Sequence, residues 1–452
     1  ETSIRRINAI TGADFETEQI ASVVKFEDVE QIIPIPVREG KDQTAVYALV
    51  NSLNQIHIYP ETYDARVAFE IFLPKFYYYV LKKGETSVNG FTVAKDAEKN
   101  SYVATSLWSL DLPAGEIIAD YAEKDKTEPI SLIGRVLGNR SVLYKYLNSN
   151  LLALVTLRET PNTSHVYLYL IDTVTGTIFH RSVYSGAGNA AAGLDSIFVT
   201  QVDNSVILSY YNHGPAATEI LTEPEIEDAV PTEATAGGKK VGKRRGKANS
   251  SAPPNVKGYE ITVLEIYEMP KPDLRIESNT YSSYSSFRPS ILSQSYIFPN
   301  QITAIGKTVT GAGIASREIL FGLSTNQLYG VNKRMLDPRR VYGTPTAEDK
   351  EEQLFPYRPV LDFNPKEVAS HVIEVVGIKK VISTPSSLES TSIVAAYGLD
   401  LFVARRSPSK TFDLLSEDFG YVSLILTLIT LVIGIQIAKY YAEKKRVADQ
   451  WK

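Results

Sequence analysis

The sequence predicts an all-β chain of antiparallel strands that ends in one membrane-spanning helix. Period-two alternation of apolar and polar residues dominates the first four hundred residues, and helical periodicity is scarce. Turn signals recur about every 8–12 residues, the spacing of a large antiparallel array. Near the end, Tyr421 to Ala438 carries no charge and no proline.

The strands follow in order. Val46–Val50 and Gln55–Tyr59 alternate on either side of a polar turn. Phe76–Leu81, Tyr102–Trp108, Leu151–Leu157, Val166–Ile171, Ile178–Tyr184, Val206–Tyr211 and Tyr259–Tyr267 repeat the pattern. Thr303–Val309, Glu318–Leu323 and Gln327–Val331 continue it, and Ser387–Val403 reads as a buried strand pair around Ile393–Tyr397. A weak repeat sits on these strands. Ile7-Asn8-Ala9-Ile10-Thr11-Gly12 matches Ile171-Asp172-Thr173-Val174-Thr175-Gly176, and His57–Thr62 (HIYPET) reads as a third copy without the glycine. The Asn or Asp side chain bonds the turn backbone and Gly supplies φ > 0. Such an Asp-x-x-Thr-Gly turn resembles those of quinoprotein-like β-propellers. At roughly 40–45 residues per blade, the strands amount to about eight blade equivalents. Ordinary hairpins in a sandwich are the alternative.

Residues 1–214 are thus expected to form propeller blades, and 257–415 the remaining strands with a segment leading to the membrane. Between them, 215–256 changes from acidic (Glu219, Glu223, Glu225, Glu227, Asp228) to basic (Lys239, Lys240, Lys243, Arg244, Arg245, Lys247) and ends in Ser-Ser-Ala-Pro-Pro. That composition cannot bury a core, so a disordered surface loop is expected. Its KKVGKRRGK run has the look of a nuclear-localisation signal, which the membrane topology contradicts.

A helix over 421–438 is about 27 Å long, close to the hydrocarbon thickness of an endoplasmic-reticulum bilayer. Lys439, Lys444, Lys445 and Arg446 follow it, whereas Asp413, Glu417 and Asp418 precede it. Positive charge stays cytosolic, so 439–452 is expected in the cytosol and the bulk of the chain on the lumenal or outer side. Phe412, Phe419, Tyr421, Tyr440 and Tyr441 mark the two interfaces. Within the span, Ser423, Thr427, Thr430 and Gly434 fall on one stripe, the kind of small, hydroxyl-bearing face on which membrane helices approach one another. Chance placement is the alternative.

Composition narrows the function. Net charge is −5, which provides no nucleic-acid signal. Cysteine is absent, so neither disulfides nor thiolate zinc sites exist. The polar opening Glu1–Arg6 is not a signal peptide. A lumenal domain needs one, so the chain is expected to be the C-terminal portion of a longer protein. The five histidines (His57, His165, His180, His213, His371) show no metal spacing, and no nucleophile elbow or EF-hand loop occurs. Gly186–Ala191 fits GxGxxA formally but lacks a following amphipathic helix, so it reads as a loop. No catalytic, metal or cofactor residues emerge, which favours a scaffold. Asn139, Asn162 and Asn249 open N-x-S/T sequons usable in a lumenal domain. Asn162 and Asn249 are expected to be accessible, whereas Asn139 lies near a strand. In Leu336-Asp337-Pro338-Arg339-Arg340, Asp-Pro starts a turn. The arginines, Arg339 and Arg340, are suited to clamp carboxylates or carbonyls bidentately. A structural corner, a subunit contact and a solvated turn all fit.

Several segments together resemble a known family. Gln294–Pro299 (QSYIFP), Leu336–Arg340 (LDPRR), Leu388–Thr391, Ala395–Asp400, Pro408–Lys410 and Arg135–Tyr144 (RVLGNRSVLY) are similar to subunit 1 of the endoplasmic-reticulum membrane protein complex. The similarity runs from about Ser131 to the C-terminus and is weaker before it; 215–256 departs from the family pattern. The resemblance implies two lumenal β-propellers and one C-terminal span in a type I protein, of which this chain is the C-terminal half. It implies a large lumenal scaffold in a complex that inserts tail-anchored and some multipass proteins without nucleotide hydrolysis. Partners would be the other subunits, the lipid bilayer and client membrane proteins. A propeller-bearing type I sorting receptor and a membrane-anchored quinone-dependent oxidoreductase are the competing readings. The first predicts trafficking signals, and the tail shows no obvious endocytic motif; the second predicts cofactor-binding side chains that no motif supplies.

Overall fold

A computed structural model describes residues 2–5, 7, 11–14, 23–26, 28–39, 44–53, 55–96, 101–126, 128–160, 164–186, 193–213, 258–269, 271–272, 283–284, 288–413 and 420–451. The expected loop at 215–256, most of the Gly186–Ala191 motif and the sequons at Asn162 and Asn249 lie outside the described residues.

Alternation along the strands explains how the sheets are stacked. A four-stranded sheet runs Glu116–Glu123, Leu151–Glu159, Ser164–Asp172, Ile178–Ser185, and a second runs Phe198–Val202, Ser205–Asn212, Gly258–Tyr267, Ser290–Phe298. Two three-stranded sheets follow: Ile302–Lys307, Glu318–Leu323, Leu328–Asn332, then Lys380–Pro385, Ser392–Tyr397, Leu401–Arg406. All pairings in them are antiparallel. The first strand of each sheet lies beside the first strand of the next, the radial arrangement of propeller blades. Successive residues then serve opposite neighbours. In Ser164–Asp172, Val166, Leu168 and Leu170 face the second four-stranded sheet, whereas Tyr167, Tyr169 and Ile171 face the preceding one. In Glu318–Leu323, Ile319, Phe321 and Leu323 meet the second four-stranded sheet, and Leu320 meets the last three-stranded sheet.

Earlier in the chain, a six-stranded sheet has the order Val29–Glu39, Thr44–Asn51, Gln55–Tyr59, Ser101–Asp111, Ser87–Asp96, Tyr77–Val80. It is two three-stranded meanders joined where Gln55 and Ile56 pair with Val103 and Tyr102. Its Val88, Trp108 and Leu110 pack on the first four-stranded sheet. Thr2–Arg5 and Val23–Phe26 form a small ribbon packed against its other end.

Among the described residues, the last sheet is covered on one face only. Val381, Val394 and Ala396 are buried, whereas Ile382, Tyr397, Leu401 and Val403 are exposed. The strand pair expected at 387–403 forms, as Ser392–Tyr397 against Leu401–Arg406, but its burial is corrected: only one face is covered, and Ile393, Tyr397, Leu401 and Val403 are exposed.

Two other local expectations change. HIYPET is not a third hairpin turn. Its Thr62 caps the helix Tyr63–Phe72, accepting the Ala65 N–H at 3.2 Å, with Asp64 in the first turn. Phe69 of that helix stacks edge-on against Phe76 and Tyr102. The C-terminal helix runs from Tyr421 to Gln450, well beyond the apolar stretch, because Lys439–Gln450 contains neither Gly nor Pro. It is the one described helix long and apolar enough to cross a membrane.

At the second repeat copy the turn chemistry is explicit. Asp172 Oδ1 accepts the N–H groups of Val174 (2.9 Å) and Thr175 (3.1 Å). Gly176 adopts φ +70° and donates its N–H to the Asp172 carbonyl at 2.8 Å. Trp108 from the six-stranded sheet lies on this turn, its Nε1–H donated to the Thr173 carbonyl at 3.2 Å. A Cβ at Gly176 would come 2.6 Å from the Trp108 ring. Gly84 shares the left-handed backbone (φ +85°) but has open space around it. Gly176→Ala is therefore expected to destabilise the chain by about 1–3 kcal/mol of backbone strain plus the clash. Gly84→Ala should incur the strain alone, and chemical unfolding of the two variants in detergent separates them.

Candidate functional site

The first strands of the blades all finish at one end of the stack, and charged side chains gather there. Lys124 Nζ, just past the first strand of the first four-stranded sheet, donates to the Asp203 carbonyl in the next sheet's first turn. Lys307 Nζ reaches back to the Gln201 carbonyl (3.0 Å) and to Glu128 (2.6 Å). Ser383 Oγ donates to the Lys307 carbonyl at 2.5 Å. Each blade is thus tied to its neighbour by a polar contact at this end.

A strap over 129–146 crosses the same end. Its Tyr146 N–H donates to Ile266 O at 3.0 Å and Glu268 N–H to Tyr144 O at 2.9 Å, fastening it to the outgoing end of Gly258–Tyr267. Arg317 donates to Pro129 O at 2.7 Å and Ser131 Oγ to Gly313 O at 2.8 Å. Under the strap lies a cleft of about 450 Å³ whose walls include Arg135, Lys145, Asp203, Glu265, Lys333 and Asp337.

The ion pairs in the cleft share partners. Arg135 lies 2.5 Å from Asp337 and 4.0 Å from Glu265. Lys333 lies 3.6 Å from Glu265 and 3.7 Å from Asp203, which also pairs with Lys145. Tyr267 donates its hydroxyl to Glu265 at 2.5 Å. Burial pushes the Glu265 carboxyl up, but Lys333, Arg135 and the Tyr267 hydroxyl outweigh it and hold the group below the usual glutamate range. Burial and the Glu265 charge push Asp337 above its usual range despite Arg135 and Arg339. The two carboxylates share one guanidinium, and because Glu265 also has Lys333 and the Tyr267 hydroxyl, Asp337 takes the penalty. Burial lowers Lys124 to about 8.

The LDPRR turn is part of this network. Asp337 and Arg340 are buried. Arg340 places Nε (3.1 Å) and Nη2 (2.5 Å) on one carbonyl, that of Pro356, and Nη1 on Met335 O at 2.8 Å. Its guanidinium lies 5.4 Å from the Tyr296 ring centroid, and the Tyr296 hydroxyl donates to Asp337 O at 2.8 Å. Arg339 pairs with Glu352 at 2.8 Å and with Asp337 at 3.6 Å. Asp337 Oδ1 accepts the Arg339 N–H at 2.9 Å, closing the turn locally. QSYIFP, LDPRR and RVLGNRSVLY, far apart in sequence, are neighbours here through Gln294, Tyr296, Asp337 and Arg135.

A second anchor lies at the same end. Glu389 accepts N–H groups from Ala312 (2.5 Å), Ile314 (2.7 Å) and Ala315 (3.3 Å) and the Thr310 hydroxyl (2.9 Å). Those bonds overcome its burial and lower its carboxyl. The adjacent Ser390 donates its N–H to Asp413 at 3.0 Å. Of the sequon asparagines, Asn139 sits in an exposed turn of the strap, its Oδ1 accepting the Ser141 N–H at 3.0 Å. The stripe residues Ser423, Thr427, Thr430 and Gly434 are exposed, and Thr427 and Thr430 bond back to Leu424 O (2.7 Å) and Leu426 O (2.6 Å). Among the described residues no cluster of three His, Asp or Glu could hold a metal.

Comparison with known proteins gives this architecture its context. A family model described as "ER membrane protein complex subunit 1, second beta-propeller" matches residues 1–226 and 247–409. The chain belongs to the ER membrane protein complex subunit 1 family. Relatives of that name are 31% identical in Gallus gallus and 32% in Xenopus laevis, each over 96% of this chain and 39% of the relative. The Saccharomyces cerevisiae relative is 24% identical over 95% of this chain and 48% of its own length. The chain therefore spans between two-fifths and half of these relatives. The matched propeller includes the stacked sheets, the strap and the charged end, and the match omits 227–246 within the expected loop.

Sequence reasoning singled out Asp337, Arg339 and Arg340 and met Arg135 and Glu389 only inside family motifs, without a role; it missed Asp203, Glu265 and Lys333. Glu265, a charge inside an apolar strand, was the one local signal. Arg135→Met leaves Glu265 and Asp337 buried without their shared cation, so a loss of about 3–5 kcal/mol is expected. Asp337→Asn should cost far less, because Arg135 keeps Glu265. Guanidinium unfolding of both variants checks the order.

Proposed function

We propose that this chain is the membrane-proximal propeller and anchor of a non-catalytic scaffold subunit. The complex it serves would be an endoplasmic-reticulum insertase for tail-anchored and multipass proteins, working without nucleotide hydrolysis. The family match over most of the chain, joined to the one described helix apolar enough to cross a membrane, carries this reading. Charge asymmetry around the helix supports a type I orientation, with the propeller lumenal and the basic end cytosolic. The ion pairs that share partners support a structural role for the charged end. Its cations and carboxylates hold one another and the strap.

Partners in this reading are the other subunits, the bilayer and client proteins. The open face of the last sheet, with Ile382, Tyr397, Leu401 and Val403, is the place for a further blade from the remainder of the protein. Asn139, Asn162 and Asn249 are proposed glycan acceptors. In the membrane, Ser423, Thr427, Thr430 and Gly434 are the proposed contact stripe for partner helices. Side chains larger than these would keep helix backbones apart. Replacing Thr427, Thr430 and Gly434 together by Leu should reduce co-purification of the other subunits about 20-fold, given roughly 0.6 kcal/mol for each of the lost contacts. Insertion of a tail-anchored client should fall in parallel. Unchanged recovery of the subunits would contradict the stripe's role.

A further inference from the structure

The chain leaves the propeller at its charged end. Strand Leu401–Arg406 finishes there, with Arg406 on Glu318. Asn332 then donates to Pro408 O at 3.4 Å, and the Ser316 N–H to Ser409 Oγ at 3.2 Å. Asp413 is fastened by Ser390. From Asp413 to the first helical residue, Tyr421, is eight residues, a reach of at most about 29 Å at 3.6 Å per residue. The charged end is therefore held close to the surface that the helix enters, whereas the opposite strand ends lie a further strand length away.

Exposed aliphatic side chains sit on this tethered end. Leu132 is 66% exposed, Ile133 48%, Val136 64% and Ile314 64%, with Phe412 at 56% beside the tether. The residues are held as one rim. Ser131 is bonded to Gly313, so the loops bearing Leu132 and Ile314 touch, and a Cβ at Gly313 would come 2.2 Å from Pro129 O. The Ile314 N–H is bonded to Glu389, whose neighbour Ser390 holds Asp413. Fixed backbones present apolar tips to solvent, at no conformational cost on docking. Exposure alone does not select the occupant, since Leu399 at the opposite strand ends is 80% exposed. Only the first group is tied to the membrane anchor.

We propose that the rim of Leu132, Ile133, Val136, Ile314 and Phe412 rests in the lipid headgroup layer. It would be a second, interfacial membrane contact that sets the orientation of the propeller on the bilayer. The proposal rests on reading Tyr421–Gln450 as a span. An apolar surface of this kind settles about 5–10 Å into the headgroup–acyl boundary.

The chain has no cysteine, so single substitutions label cleanly. Leu132→Cys, Ile314→Cys, Leu399→Cys and Ile429→Cys, each carrying an environment-sensitive nitrobenzoxadiazole, are assembled into the whole complex. The complex is then reconstituted in phosphatidylcholine–phosphatidylethanolamine vesicles with or without doxyl-labelled lipid, the label placed shallow to probe 132, 314 and 399 and deep to probe 429, which lies near the middle of the span. Ile429 lies off the proposed stripe and reports the span itself. Quenching at 132, 314 and 429, with none at 399, is the expected result. Quenching at 429 with none at 132 or 314 overturns the rim contact while leaving the span intact. Blue-shifted but unquenched emission at 132 and 314 assigns the rim to a protein partner and also overturns it. Absence of quenching at 429 defeats the span, and the rim contact with it.

Discussion

Every blade of this protein depends on being apolar on both faces. A strand such as Ser164–Asp172 sends Val166, Leu168 and Leu170 one way and Tyr167, Tyr169 and Ile171 the other. Neither face tolerates water, at about 25 cal/mol for each Å² of apolar surface left exposed. A single sheet of this kind has no stable existence alone. It requires a neighbour on each side, and the demand passes from sheet to sheet until it reaches the last, whose outer face is open in this chain. Hydrophobic stacking thus dictates a radial array and makes the fold inseparable from what surrounds it.

Stacking is non-directional, and the charged layer supplies the direction. Lys124, Lys307 and Ser383 each reach a backbone carbonyl on an adjoining sheet, and Arg135 and Lys333 bind carboxylates from different elements. Buried ions of this kind contribute little net stability against an apolar equivalent, but removing one partner is costly. Their effect is to fix how the strap and the blades sit on one another. Glu389 and Ser390 extend the layer to Asp413, so the same polar system that aligns the blades also holds the chain that leads to the helix.

The parts of this arrangement governed by local chemistry were legible in the sequence. Period-two alternation located most strands, Asp172 and Gly176 announced their turn, and the uncharged run from Tyr421 announced the helix. Long-range features were not legible. Arg135, Asp203, Glu265 and the Lys333–Asp337 turn come from four separate segments, and nothing near any of them in the chain specifies its partner across the cleft. The helix Tyr63–Phe72 was hidden because its cap, Thr62, sits in a segment that imitates a repeat turn. The exposure of Ile382 and Val403 was hidden too, since alternation reports which residues share a face but not whether that face is covered.

The account's central claim is that one helix crosses the bilayer with the stacked sheets on the lumenal side and the basic end in the cytosol. Trypsin added to sealed microsomes tests it most directly, read with antibodies against the propeller and against the last residues. The account predicts an intact propeller fragment and loss of the C-terminal signal through cleavage at Lys439, Lys444, Lys445 or Arg446. Digestion of the propeller with survival of the C-terminal signal would contradict it.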